Sequence, residues 1–121
     1  MRSAIFEICN RIGIKVFCEG TYVCLSGPAF ETSAEIRLFK SLGIDFVGMT
    51  VAPEAKLCRE KSICYQPIAL AVNFGAGMRK ELLSHEKTLL QAEKMKTDVT
   101  RIIIECVRAK ELYKKCRCGG T

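Results

Sequence analysis

A chain of 121 residues with 49% hydrophobic and 26% charged residues carries enough apolar material for one packed domain, which excludes a disordered tail. No run approaches the roughly 18 uninterrupted apolar residues of a membrane span, and Glu7 stands where a signal peptide would need its apolar core, so a cytoplasmic protein is expected. The net charge of +6 raises a nucleic-acid reading, but Lys and Arg concentrate after Arg79 and alternate with Glu81, Glu86, Glu93, Asp98, Glu105 and Glu111, the pattern of a solvated helix face.

Ala4, Ile5, Ile8, Cys9 and Ile12 recur at helical spacing, predicting a helix over residues 2–12 that ends at Gly13. Ile14 to Cys18 and Thr21 to Leu25 are rich in β-formers and predict two strands, or one kinked strand, around Glu19-Gly20. Thr32-Ser33-Ala34-Glu35 matches a capping box, in which the Thr32 side chain accepts from the N3 amide and Glu35 reaches back, so a helix over 33–42 follows, ended by Gly43.

Ile44 to Met49 and Ile68 to Asn73 are short apolar runs of the kind buried on both faces of a sheet, and Pro67 suits the first residue of its strand. Between them Pro53 and Glu54 fit the first turn of a helix over 53–61. Residues 84–116 lack Gly and Pro and place Leu90, Met95, Val99, Ile103, Cys106 and Leu112 on one side, predicting one long terminal helix. The alternation argues an α/β fold with a mixed, mostly parallel sheet, flanking helices and a long final helix. Three or four strands leave an exposed edge, so the chain reads as an incomplete domain.

Ser26-Gly27-Pro28-Ala29-Phe30-Glu31-Thr32, continuing to Ala34-Glu35, resembles the base-binding loop of trimeric purine nucleoside phosphorylases and methylthioadenosine phosphorylases. Gly43-Ile44-Asp45-Phe46-Val47-Gly48-Met49-Thr50, Pro53-Glu54-Ala55 and Ala71-Val72-Asn73-Phe74-Gly75-Ala76-Gly77 follow in that family's order, and the likeness runs over about residues 1–113. It implies that residues 1–121 are the C-terminal part of a single nucleoside phosphorylase domain. The family's glycine-rich phosphate loop, its Arg-His pair and its Thr-containing segment have no counterpart here.

The resemblance implies that Phe30 stacks on a purine, that Glu31 accepts from its N1–H, that Met49 packs on the ribose and that Thr50 contacts phosphate. Taken singly, Phe30 would read as a core aromatic, Glu31 as a surface acid at a helix start and Thr50 as a helix cap. Asn73 can donate and accept, and so can serve N7 and O6 of a 6-oxopurine. Family members that take adenine carry Asp at that place, a second Asp where this chain has Gly75, and Ser where it has Glu31. An ionised Asp cannot donate to O6, and leaving a buried polar partner unpaired costs roughly 1–3 kcal/mol.

The implied activity is phosphorolysis of inosine, guanosine or 5′-methylthioinosine, with Asn73 and Glu31 as the catalytic pair that stabilises charge on the departing base. Inorganic phosphate is the co-substrate, no cofactor or metal is expected, and the partners are a homo-oligomer, trimer or hexamer, or a complementary N-terminal subunit. A non-catalytic purine-binding or assembly subunit, or an inactive truncated homologue, is the alternative.

Eight cysteines sit in apolar segments with no secretion signal before them, and read mostly as buried thiols. Cys58 and Cys64 could pair with each other or with Cys116-Arg117-Cys118, which is similar to the tail of some archaeal relatives. Neither these cysteines nor the lone His85 offers the paired spacing of a zinc site, and His85 reads as an exposed residue at a helix start.

Overall fold

The computed structural model describes residues 1–80 and 84–113. Helix α1 (Arg2–Arg11) is followed by strand β1 (Tyr22–Cys24), α2 (Ser33–Ser41), β2 (Phe46–Gly48), α3 (Val51–Glu60) and α4 (His85–Arg108). The strands pair in parallel, with Tyr22 opposite Phe46, Val23 opposite Val47 and Cys24 opposite Gly48. Leu25 N–H extends the ladder to Gly48 O at 2.8 Å, while Asp45 and Phe46 N–H both reach Thr21 O at its start. The α/β class is as expected, but the sheet has two strands among the described residues rather than three or four.

Two predicted strands are absent, for one reason. Residues 14–18 and 68–73 adopt no strand among the described residues, and 68–73 take part in no backbone-to-backbone hydrogen bond there. β-forming composition describes a surface that suits a pleated sheet, yet a strand exists only when a neighbour completes its ladder. Ile68 and Leu70 accordingly remain 40% and 37% exposed.

The terminal helix is shorter than the sequence suggests. It ends at Arg108, Ala109 turns to φ −79, ψ 100, and a 3-10 turn covers Lys110–Tyr113. The physical cause is packing: Ala109 is buried, and the 3-10 turn lies against α1 instead of running on into solvent. The last predicted helical residues, 114–116, lie outside the described residues. At the other end of the chain's helices, α3 begins at Val51, two residues before the expected start.

The core is a seam between α1 and α4, where Ile8, Cys9 and Ile102 are almost fully buried. Full burial of one such aliphatic side chain is worth about 1.5–3 kcal/mol. Arg101 fastens the same pair by donating to Ile12 O at 3.0 Å, a cation meeting a carbonyl at the negative end of α1. Burial raises the pKa of the thiols of Cys9 and Cys106, which therefore stay protonated at neutral pH. None of the six described cysteines forms a disulfide; Cys9 alone is fully buried and the other five are half-buried, so the expectation of mostly buried thiols holds only in part. Cys58 and Cys64 are thus not joined to each other, and Cys116 and Cys118 lie outside the described residues.

Helix α2 starts as its sequence dictates. Glu35 N–H donates to Thr32 Oγ1 at 3.3 Å, and Thr32 N–H and hydroxyl both donate to Glu35 Oε2 at 2.7 Å. These bonds hold the Glu35 carboxyl below the usual carboxylate range. A depressed carboxylate pKa contributes stability that is complete above the unfolded value, about 4.3, and is lost as pH falls through the folded value. Thr32→Ala is expected to cost about 1 kcal/mol near neutral pH in urea unfolding. Below about pH 4 the gap between variant and parent should narrow; a gap independent of pH would show that the Glu35 bonds contribute nothing.

Candidate functional site

Parallel pairing brings the C-terminal ends of β1 and β2 to one edge of the sheet, and both motif-bearing loops leave from that edge. The loop after β1 carries Phe30 and Glu31 into the start of α2; the turn after β2 carries Met49 and Thr50 into α3. The two touch at Gly27, which has φ +63 and follows the strand into a cis bond with Pro28. A Cβ at Gly27 would lie 2.5 Å from Met49 Sδ, so only glycine gives both the left-handed backbone and the room for the methionine.

The third segment, residues 73–77, joins them through α2. Gly75 packs directly on the buried Ile36 side chain, and Gly77, at φ +75, sits where a Cβ would strike Ser33 Oγ at 2.6 Å. The capping box thereby fixes three things together: the direction of Phe30-Glu31, the start of α2 and the seat of the Asn73 loop. Phe30 is 43% exposed, Glu31 and Met49 are half-buried, and Thr50 and Asn73 are exposed. Asn73 donates from Nδ2 to Phe74 O at 3.1 Å, which uses one of its two amide hydrogens and orients the amide plane.

Thr50 precedes α3, but its side chain does not cap the helix. Its hydroxyl is instead hydrogen-bonded to the Glu54 carboxylate, which also accepts from Tyr65 Oη at 2.5 Å. The two hydroxyls hold the Glu54 pKa down, and the same carboxylate pushes the Tyr65 phenol up to about 12, because ionisation would break the bond and set two negative charges together. The amides at the start of α3 are partly spent: Ala52 N–H donates to Cys24 Sγ at 3.4 Å and Pro53 has none. Val51 is left as the first-turn amide without a partner among the described residues, a smaller anion cradle than the helix position suggests.

Sequence reasoning missed four residues here. Tyr22 lies over Gly48, so that a Cβ there would meet its hydroxyl, and its phenol pKa is raised by burial, then by Cys24, Glu54 and Glu31. Tyr22 thus feels the charges of both the loop after β1 and α3. Tyr65 is eleven positions from Glu54, beyond helical spacing. Phe74 and Arg79 form a cation–π pair, the guanidinium 3.8 Å from the ring centroid. The β-forming aromatic Tyr22 two residues before Cys24 was a visible signal; nothing local marks the others. His85 is exposed at the start of α4, as expected, and no cluster of His, Cys, Asp and Glu suited to a metal is present among the described residues.

The Tyr65–Glu54 bond makes a spectroscopic prediction. In an ultraviolet titration of the phenols, Tyr65→Phe is expected to remove the component ionising near pH 12. If the variant loses a component near pH 10 instead, the bond does not hold the Tyr65 proton in solution.

The model of the phosphorylase superfamily matches residues 1–108. A 6-oxopurine nucleoside phosphorylase of Pyrococcus furiosus is 37% identical over 118 residues, which are 98% of this chain and 44% of the relative. A probable S-methyl-5′-thioinosine phosphorylase of Thermodesulfovibrio yellowstonii is 38% identical over the same shares of each chain. Among solved structures, the methylthioadenosine phosphorylase of Schistosoma mansoni in complex with adenine superposes with a TM-score of 0.86 at 26% identity, over 96% of this chain and 46% of that one. The chain spans less than half the length of these relatives. The edge where both strand ends meet, the capped loop after β1 and the family match over nearly the whole sequence lead to one conclusion: the chain belongs to the phosphorylase superfamily.

Proposed function

We propose that this chain supplies the purine and ribose side of the active site of a 6-oxopurine nucleoside phosphorylase, as the C-terminal part of a single nucleoside phosphorylase domain. The observation that supports this most is Asn73 on the loop seated against the same helix start that carries Phe30 and Glu31. Phe30 stacks on the base, Glu31 accepts from N1–H, and Asn73 donates to one of O6 and N7 while its Oδ1 accepts where a proton is carried. Met49 faces the ribose, and Thr50, beside the positive end of α3, contacts phosphate.

In the reaction a phosphate oxygen bonds to the anomeric carbon as the bond from that carbon to N9 breaks, and the bonding pair passes to the purine. Asn73 and Glu31 stabilise the charge arriving there, giving free base and ribose 1-phosphate. Inorganic phosphate is the co-substrate and no cofactor takes part. The setting is cytoplasmic; no described helix is long and apolar enough to cross a membrane. The working assembly is a homo-oligomer, trimer or hexamer, or a complex with a complementary polypeptide carrying the rest of the phosphate site.

Asn73→Asp tests the assignment of base specificity. With the complementary part supplied, kcat/KM for inosine is expected to fall about 10- to 100-fold, corresponding to roughly 1–3 kcal/mol for an unpaired polar group, while the ratio of adenosine to inosine cleavage rises. An unchanged ratio would remove Asn73 from base recognition. Purine binding without turnover, read by calorimetry with hypoxanthine, would favour a non-catalytic purine-binding subunit.

A further inference from the structure

A hydroxyl carries one hydrogen, and at Thr50 that hydrogen already has its place. The Glu54 carboxylate, ionised at neutral pH, can only accept, so the Thr50 hydroxyl donates to it. Glu54 lies one helical turn beyond Thr50, on the first turn of α3, where the helix dipole favours an anion. Tyr65 Oη, from a segment eleven positions away, donates to the same carboxylate at 2.5 Å and so ties it down.

The lone pairs of Thr50 remain open for a separate reason. A threonine before a helix ordinarily accepts from the second or third helical amide, yet the Thr50 side chain makes no such cap. Ala52 N–H is directed to Cys24 Sγ at 3.4 Å, and Pro53 has no N–H. Thr50 Oγ1 therefore offers an incoming group an acceptor only. Next to it the Val51 N–H, without a partner among the described residues, offers a donor only.

An acceptor beside a donor matches an oxyanion that presents one O–H and one bare oxygen. A fully deprotonated anion would bring a lone pair against the lone pairs of Thr50 and leave that oxygen unpaired. Rotating the hydroxyl toward the anion does not escape this, because it exchanges one charge-assisted bond for another and leaves Glu54 a partner short.

We infer that Glu54, held by Tyr65, is the positioning residue that makes the Thr50 hydroxyl an acceptor, so that the start of α3 selects hydrogen phosphate over sulfate, an anion of the same shape and charge without the proton. This rests on the proposed contact between Thr50 and phosphate. It adds a selectivity to that contact and gives Glu54 and Tyr65, which touch no substrate, a part in producing it.

The isotope-labelled full chain is titrated with sodium phosphate and, separately, with sodium sulfate while the Val51 amide resonance is followed. Ionic strength is held equal and the pH mildly alkaline, so that both anions carry two charges. The midpoint for phosphate is expected at a concentration about 10-fold or more below that for sulfate, the effect of one unpaired polar group. Glu54→Ala frees the Thr50 hydrogen and removes the same charge from the surroundings of both anions, so the two midpoints should come within about two-fold of each other. Thr50→Ser, which keeps the hydroxyl, should keep the ratio of the parent. A Val51 resonance that moves with neither anion, equal midpoints in the parent, or a ratio that Glu54→Ala leaves unchanged would each overturn the inference. The titration reads binding and not turnover, so the two readings fail separately. Discrimination at Val51 in a protein that leaves inosine intact would end the phosphorylase reading alone; inosine cleavage without discrimination would end this one alone.

Discussion

The parallel register of β1 and β2 is the constraint on which the rest depends. Pairing Cys24 with Gly48 places two strand ends side by side, so the loops that follow them must share one edge. Because the connection is parallel, the chain has to return by way of α2, and the N-terminus of that helix falls at the same edge. Everything proposed for the base site is a consequence of this return path. Three strand residues on each side suffice only because the flanking helices and the packed glycine contacts share the burden of holding the edge.

Much of the site was legible because its signals are local. The capping box is a four-residue pattern whose bonds close within its own turn, and the structure forms them at the positions the sequence names. The start of the long helix after Ser84 was equally readable. What could not be read was set by residues far away in sequence. Residues 14–18 and 68–73 have strand composition without strand partners, and the end of α4 at Arg108 follows from the burial of Ala109 beside α1. The Tyr65–Glu54 bond and the placement of Tyr22 between two loops depend on tertiary return, which no period reveals.

The electrostatics of the edge are divided. Glu54 keeps its charge by taking two hydroxyl bonds, and burial and nearby acids keep the Tyr22 proton in place. The Glu54 carboxylate, itself held by Tyr65, bonds the Thr50 hydroxyl without consuming the Val51 amide. The polar groups of α3 are therefore engaged mainly with each other, and the remaining anion-binding capacity of this face is modest.

The contact between Gly27 and Met49 also has a consequence for how such a sequence can change. The methionine sulfur occupies the volume that any side chain at residue 27 would fill. At Gly13 and Gly43, which have similar backbone angles but empty surroundings, an asparagine would meet only the mild strain of a left-handed conformation. At Gly27 the same substitution would drive Met49 from its place, so residue 27 can change only if residue 49 changes with it. The packing of Met49 and the path of the loop after β1 are in this way tied together.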